Sequence, residues 1–308
     1  MIVAGPTASG KSDIGIKLAK SFSGEVISCD SAQIYRGMDI GTSKLSGNDM
    51  QGIRHHLIDV CTPFDDFTVA DFKRECEKAI KAVHDRGKLP ILCGGTGLYI
   101  NSIMFDMQFA GSKTSFDTKE KFRKMEEEYG KEHLYKRLVE VKPDIAARIH
   151  PNNTVRVIRA LSIFDGAGNN ELNNQRNNLG RLNVGMDKKS EFDFIKLVIT
   201  WPRDILYSRI NRRVDIFFDK GLVEEVRKLL DSGTPKEANA LKAIGYKEIV
   251  SYIYGEIDLN TAKELIKRNT RRFAKRQLTW FRRYDDFRWF DMSETTDEEI
   301  VSWVAKNI

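Results

Sequence analysis

Over the first hundred residues, short apolar runs alternate with longer stretches in which apolar positions recur every three or four residues. The runs are Ile2-Val3-Ala4, Glu25 to Cys29 and Leu89 to Cys93. The periodic stretches are Lys11 to Phe22, with Ile14 and Leu18 inward, and Thr68 to Arg86, with Val69, Phe72, Cys76, Ala79, Ile80 and Val83 on one side. Buried strands alternating with amphipathic helices predict a parallel sheet with helices on both faces. Gly87 closes the second helix, and Gly94-Gly95-Thr96-Gly97 turns into another near Leu98. From Ser31 to Pro63 the chain is loop-rich, and loops of that length in a compact domain usually carry function.

Further along, the pattern changes. Residues 111 to 165 show helical rows alone: Phe122/Met125/Tyr129, Leu134/Leu138/Val141 and Val157/Leu161/Phe164. Gly166 to Ser190, rich in Asn and Gly, reads as a mobile connector. A strand resumes over Phe194 to Thr200, followed by helices over Arg203 to Asp231, Ala238 to Tyr254 and Asn260 to Trp280. A last strand at Phe287 to Phe290 and a helix over Glu294 to Asn307 end the pattern. On the long third helix Ile266, Phe273 and Trp280 recur every seven residues and mark an expected buried stripe. We therefore expect a catalytic core of residues 1–110 and 185–308, interrupted by an all-helical module of 111–184.

Composition narrows this picture. With 308 residues, 41% of them apolar, the chain can bury the core of one large or two modest domains. No apolar run reaches membrane-spanning length and no signal-peptide pattern opens the chain, so a cytoplasmic protein is expected. Cys29, Cys61, Cys76 and Cys93 form no C-x-x-C pair, which indicates neither a disulfide framework nor a zinc site. The net charge of +6 is local: Lys263 to Arg288 hold ten Lys or Arg against three acids, leaving the remainder near neutral. A basic stripe of this kind suggests a polyanion, nucleic acid being the commonest.

The chemistry begins at Gly5-Pro6-Thr7-Ala8-Ser9-Gly10-Lys11-Ser12, which reads G-x-x-x-x-G-K-S between a strand and a helix. That is the pattern of a P-loop: glycines allow close backbone approach to phosphate, Lys11 supplies a point charge, and the Ser12 hydroxyl can hold Mg²⁺. The expected fold is thus α/β, a P-loop NTPase-like core with a parallel sheet flanked by helices, plus the inserted helical module. An ordinary ATPase would carry an Asp after the strand Leu89 to Cys93, yet that strand runs into Gly94-Gly95-Thr96. Asp30, after the second strand, stands in its place as a magnesium ligand, a general base, or simply the cap of a following turn. His55, His56 and Asp59 suggest a metal site weakly, since adjacent histidines diverge and no third ligand is spaced to join them; a structural role near the loop fits better.

Taken in order, GPTASGKS, DSAQIYRGMDIGTSK, HHLID, GGTGLY, ARIHPNNTVRVIRAL, LKAIGYKE and AKRQLTWFR closely resemble the tRNA dimethylallyltransferase (tRNA isopentenyltransferase) family from Gly5 to Arg282. The resemblance implies transfer of a dimethylallyl group from dimethylallyl diphosphate to the N6 amine of the adenosine 3′-adjacent to the anticodon, releasing diphosphate. It implies Asp30 as the general base, Lys11, Ser12 and Arg213 acting on the diphosphate, and Mg²⁺ held through Ser12. The neighbouring Arg212 competes with Arg213 for that match. For tRNA it marks Asp30, Ser31, Ala32 and Gln33; Thr96; Val155, Arg156, Val157, Ile158 and Arg159; Lys242, Gly245, Tyr246 and Lys247; and Lys275, Arg276, Gln277, Trp280 and Arg282. Arg156 and Arg159 share a helix face, and the last stretch mixes cations with aromatics, the combination that neutralises phosphates and stacks bases. Trp280, on the seven-residue stripe, fits core packing better than stacking. The expected partner is the tRNA anticodon stem-loop, its target base flipped out, with no membrane involvement and a monomeric protein.

Two features depart from the family pattern. SIFDGAGNNELNNQ stands where the family has an acidic residue and a Thr-Gly turn, and Met1 lies only four residues before Gly5. The lack of a zinc-finger extension leads us to expect the bacterial type. Three other readings remain open at this stage: an adenylate isopentenyltransferase acting on free nucleotide, a small-molecule or nucleotide kinase, and an RNA-binding protein that uses the P-loop as a nucleotide sensor. The helical insertion and the basic stripe speak against the first, because a mononucleotide requires neither.

Overall fold

The computed structural model describes residues 1–105, 107, 109, 116–166 and 190–308. These divide into two units, Met1–Met104 with Phe192–Ile308, and Phe105–Glu191. The first unit holds a six-stranded sheet in the order β3-β2-β4-β1-β5-β6. Its strands are β1 (Ile2–Ala4), β2 (Gly24–Ser28), β3 (His55–His56), β4 (Leu89–Gly94), β5 (Lys196–Thr200) and β6 (Arg288–Asp291). All pair in parallel, with Val3 opposite Cys93 on one side and Leu197 on the other. β1, β2, β4 and β5 are short, largely apolar and mostly buried, as strands covered on both faces must be. β3, which the sequence pattern hides in a loop, is two residues long, too short to show any alternation.

The helices of this unit are α1 (Lys11–Ser21), α2 (Val69–His84) and α3 (Gly97–Met104), then, late in the chain, α7 (Arg203–Asp219), α8 (Leu222–Asp231), α9 (Tyr246–Ile253), α10 (Leu259–Phe281) and α11 (Asp297–Ala305). Thr68 and Thr296 start α2 and α11 with reciprocal capping boxes to Asp71 and Glu299, which satisfy backbone N–H groups that lack an intrahelical partner. Two long helices of the sequence reading are each divided. Gly221, at φ 91°, separates α7 from α8, and Gly245, at φ 100°, separates a 3₁₀ turn at Ala240–Lys242 from α9. Apolar periodicity persists across such breaks and so does not reveal them.

On α10 the buried residues are Ala262, Ile266, Ala274, Gln277 and Phe281, whereas Phe273 and Trp280 are half-buried. This corrects the seven-residue stripe: an α-helix drifts by ~20° per heptad, so such a row turns away from the buried face over its two repeats. Beneath the P-loop, α7 and α10 meet in a small cluster of Ala8, Leu206, Ile210 and Ala274, against which Trp201, Tyr207 and Leu278 pack. That cluster brings two late helices to the first turn of the chain.

The second unit consists, in its described part, of α4 (Phe116–Val141), α5 (Pro143–Ala146) and α6 (Thr154–Gly166). Phe122, Leu134, Leu138, Val157 and Leu161 form its core, with Met125 and Phe164 packed on it. Tyr129 and Val141, expected inside, are exposed. Gly130 breaks α4 at φ 80° directly after Tyr129, and Val141 ends the helix just before Pro143, so each row outruns its partner. The connector expected over Gly166 to Ser190 falls largely on residues 167–189, outside the described residues.

Candidate active site

β1 delivers the phosphate loop to the carboxyl edge of the sheet. The Gly5 backbone lies against Ile199 so closely that a Cβ would come within 2.4 Å of its carbonyl oxygen, so glycine alone fits. Gly10, left-handed at φ 91°, turns the chain into α1. The loop is braced from outside by three side chains: Trp201 Nε1 donates to Ser9 O at 2.9 Å, Arg209 Nε donates to Ala8 O at 2.9 Å, and Gln277 Oε1 accepts from Thr7 N at 2.9 Å. Arg209 also lies over the Trp201 ring, 4.6 Å from its centroid. These contacts engage the Thr7 N–H and the Ala8 and Ser9 carbonyls; the first N–H groups of a helix such as α1 have no acceptor within the helix and suit an anion.

Lys11 Nζ donates to Pro6 O at 3.4 Å. Burial lowers its pKa from the usual lysine value; Cys93 and Asp30 oppose that shift, and Arg213 adds to it. Burial also lowers the Arg213 pKa, helped by Arg209 and opposed by Asp13. Cations held under such conditions make a strong site for a polyanion. Beside the loop opens a pocket of about 480 Å³, bordered by Ala8, by Arg209, Arg212 and Arg213 of α7, and by Ile40 and Lys44 from the segment after β2. Both Arg212 and Arg213 border it, so the pocket lining does not choose between them.

Asp30 follows β2. Its Oδ1 accepts from Ala32 N at 2.9 Å and Gln33 N at 3.4 Å, the turn-capping role weighed above. That role uses one oxygen and orients the other. Thr96, after β4, accepts from Ser31 N at 3.1 Å through Oγ1 and donates its own N–H to Cys29 O at 3.1 Å. Gly94 makes the approach possible, since a Cβ there would stand 2.2 Å from Cys29 O. Gln33 accepts from Ser28 Oγ at 3.0 Å and donates to Thr42 O at 3.1 Å, and Gln277 Nε2 donates to Gly95 O at 2.9 Å. The ends of β2, β4 and β1, neighbours in the sheet, thus converge on one rim, where open parallel sheets bind ligands.

The remaining sequence-selected residues fall into two groups. On α10, Lys263 and Lys267 pair with Asp215 of α7 and Arg271 donates to Asn211, while Arg268, Arg272, Lys275 and Arg276 form an exposed basic face that Arg282 extends. Lys242 and Lys247 are exposed. Gln277 and Tyr246 are buried, with Gln277 committed to the P-loop and Gly95, and the Tyr246 hydroxyl donating to Glu225 at 2.6 Å. Gly245 is buried, its N–H given to Glu248. Trp280 packs against Gly97 and donates to Asn101 Oδ1 at 3.3 Å, with Arg283 over its ring. In the second unit Val155, Arg156 and Arg159 lie on the outside of α6, whereas Val157 and Ile158 belong to that unit's core.

His56 Nε2 bonds to Glu25 at 2.7 Å, and His55 Nδ1 to Ile53 O at 2.9 Å, so both rings serve the fold. Nothing local in the sequence marks Arg209, Trp201 or Glu225 as functional.

A parallel sheet with a P-loop after β1 and a carboxylate after β2, on the far side of β4, defines a P-loop protein with the parts to hold a phosphate ester. The model of the IPP transferase family matches residues 33–284, and the chain belongs to that family. It is 46% identical over 302 residues to a tRNA dimethylallyltransferase of Caldanaerobacter subterraneus subsp. tengcongensis, covering 97% of this chain and 94% of that one. The corresponding protein of Alkaliphilus metalliredigens is 43% identical, covering 100% and 96%. Among solved structures, the full-length tRNA isopentenylpyrophosphate transferase of Bacillus halodurans superposes with a TM-score of 0.72 at 41% identity, covering 99% and 95%. A eukaryotic dimethylallyltransferase acting on tRNA gives 0.79 at 27% identity, covering 99% of this chain and 78% of that one.

Proposed function

We propose that this protein transfers a dimethylallyl group from dimethylallyl diphosphate to the N6 amine of the adenosine 3′-adjacent to the anticodon of tRNA. The observation that carries this reading is the joining of donor and acceptor sides at one rim: the P-loop and Arg213 beside a turn that holds Asp30 and is tied to Thr96. In the reaction the amine attacks the first carbon of the dimethylallyl group, the bond from that carbon to the diphosphate oxygen breaks, and the diphosphate leaves with its electron pair. Asp30 accepts the amine proton; an exocyclic adenine amine is a weak nucleophile, so removing that proton as the bond forms lowers the barrier. Lys11 and Arg213 hold the negative charge that grows on the diphosphate.

Magnesium suits the donor set, which is hard oxygen throughout: the Ser12 hydroxyl and the phosphates that the donor itself brings. Bound through Ser12, the ion would neutralise leaving-group charge. The exposed face of α10 and the outer face of α6, with Arg156 and Arg159, supply cations for the anticodon stem-loop; buried Val157 and Ile158 back the α6 face, while Gln277 and Tyr246 are turned inward to the P-loop and to Glu225. No helix of the described residues is long and apolar enough to cross a membrane. We place the reaction in the cytoplasm, on a monomer.

The test is incubation with labelled dimethylallyl diphosphate, Mg²⁺ and either unmodified tRNA or AMP. Label on tRNA is expected. Label on AMP alone would overturn the reading in favour of a free-nucleotide enzyme.

A further inference from the structure

We propose that Glu225 is a positioning residue for the donor pocket, acting through the loop of residues 38–44. The proposal rests on the donor assignment above. That loop supplies Asp39, Ile40, Ser43 and Lys44 to the pocket border, opposite the α7 arginines, although it pairs with no strand of the sheet. Backbone N–H groups in such a segment need acceptors from elsewhere.

Glu225, in the first turn of α8, provides them. Its Oε2 accepts from Asp39 N at 3.0 Å and Ile40 N at 2.8 Å. Its Oε1 accepts from Gly41 N at 3.3 Å and from the Tyr246 hydroxyl at 2.6 Å. Four donors converge on one carboxylate, and that donor set dictates the residue type. Glutamine is isosteric, yet it would turn an NH₂ group toward two N–H donors or toward an N–H and an O–H. The fit around the clamp is close, since a Cβ on Gly41 would stand 2.6 Å from the Tyr246 ring.

Two further links carry the effect inward. Lys44 Nζ ties the far end of the loop to Tyr35 O at 2.9 Å and to Asp59 at 2.6 Å. Gln33 Nε2 donates to Thr42 O, joining the loop to the turn that holds Asp30. Glu225 itself does not border the pocket, so it acts by fixing where the wall stands.

Steady-state kinetics with labelled dimethylallyl diphosphate and unmodified tRNA separate this role from mere stability. Partial unfolding lowers kcat per milligram and leaves KM unchanged; a displaced wall raises donor KM. For Glu225→Gln the expected result is a rise of about tenfold in donor KM, with kcat and tRNA KM within about twofold of the wild type. Tyr246→Phe, which removes one of the four donors and keeps the buried ring, should shift donor KM the same way by a smaller factor, and it carries the test if Glu225→Gln does not fold. An unchanged donor KM in the folded variants overturns the proposal. Arg213→Ala in the same assay keeps the two readings apart: if it leaves donor KM unchanged the donor assignment fails, and if it alone raises donor KM only the clamp fails.

Discussion

The two ends of the sheet treat buried charge in opposite ways. At the amino-terminal edge, Glu25 is 2% exposed and closed off: Oε2 accepts from His56 and from Arg86, each at 2.7 Å, and Oε1 faces Lys88 at 3.0 Å. At the carboxyl rim, the cations Lys11 and Arg213 are held near one another, and Asp30 spends a single oxygen on its turn. Both ends rest on the same ladder of hydrogen-bonded strands. One end completes its polar contacts within the protein and gains stability; the other leaves them incomplete, and incompleteness is what a substrate can answer.

That contrast predicts where substitutions act. The largest effect belongs to the open end: Asp30→Asn keeps an oxygen for the Ala32 N–H but cannot take a proton. Single-turnover rates should drop by about 10²–10⁴ with donor affinity little changed, and a rate within tenfold of the wild type would remove Asp30 from the chemistry.

At the closed end the measurable quantity is stability. Burial alone would raise the Glu25 pKa, but hydrogen bonds from Arg86, His56 and Lys88 outweigh it and bring the group to about 2 from an ordinary 4.5. A lowered folded-state pKa means the contribution is present above the unfolded value and is lost as pH falls from about 4.5 toward about 2. Its size is on the order of 3 kcal/mol. Urea melts across that range should show the loss in the wild type and a flatter profile in Glu25→Gln, whose activity per folded molecule should match the wild type.

Between the ends in size stands Gln277→Glu. Its partners are one donor, Thr7 N, and one acceptor, Gly95 O, so the isosteric acid keeps the first contact and sets oxygen against oxygen in the second. We expect a loss of about 1–3 kcal/mol in unfolding free energy together with weaker donor binding by calorimetry; stability equal to the wild type would show that the strut is dispensable. The smallest effect is on the outer face of α10. Replacing Lys275 and Arg276 with alanine should lower the slope of log affinity for tRNA against log salt by about two, without changing kcat at saturation.

Much of the candidate site is marked in the sequence by local signals. The P-loop is eight consecutive residues, Asp30 ends an apolar run, and the absent acid after Cys93 is a single position. Residues whose contacts are long-range carry no such local signal. Gln277 and Tyr246 lie in stretches that the family resemblance marks for tRNA, and the structure engages their polar atoms inside the protein. Glu225 sits on an ordinary amphipathic helix, with nothing nearby in sequence to mark it.

What the sequence by itself determined is the succession of strands and helices, the phosphate loop, the carboxylate beside it and the family. Periodicity and short motifs encode these, since each depends on neighbours within a few residues. What the tertiary structure alone decided is which groups face each other: Thr7 with Gln277 across 270 residues, Asp39 to Gly41 with Glu225 across about 185, Glu25 with Arg86 across 61. An apolar pattern states that a face is buried and leaves open against what. Those partners are chosen when the helices close on the sheet and every buried donor must find an acceptor.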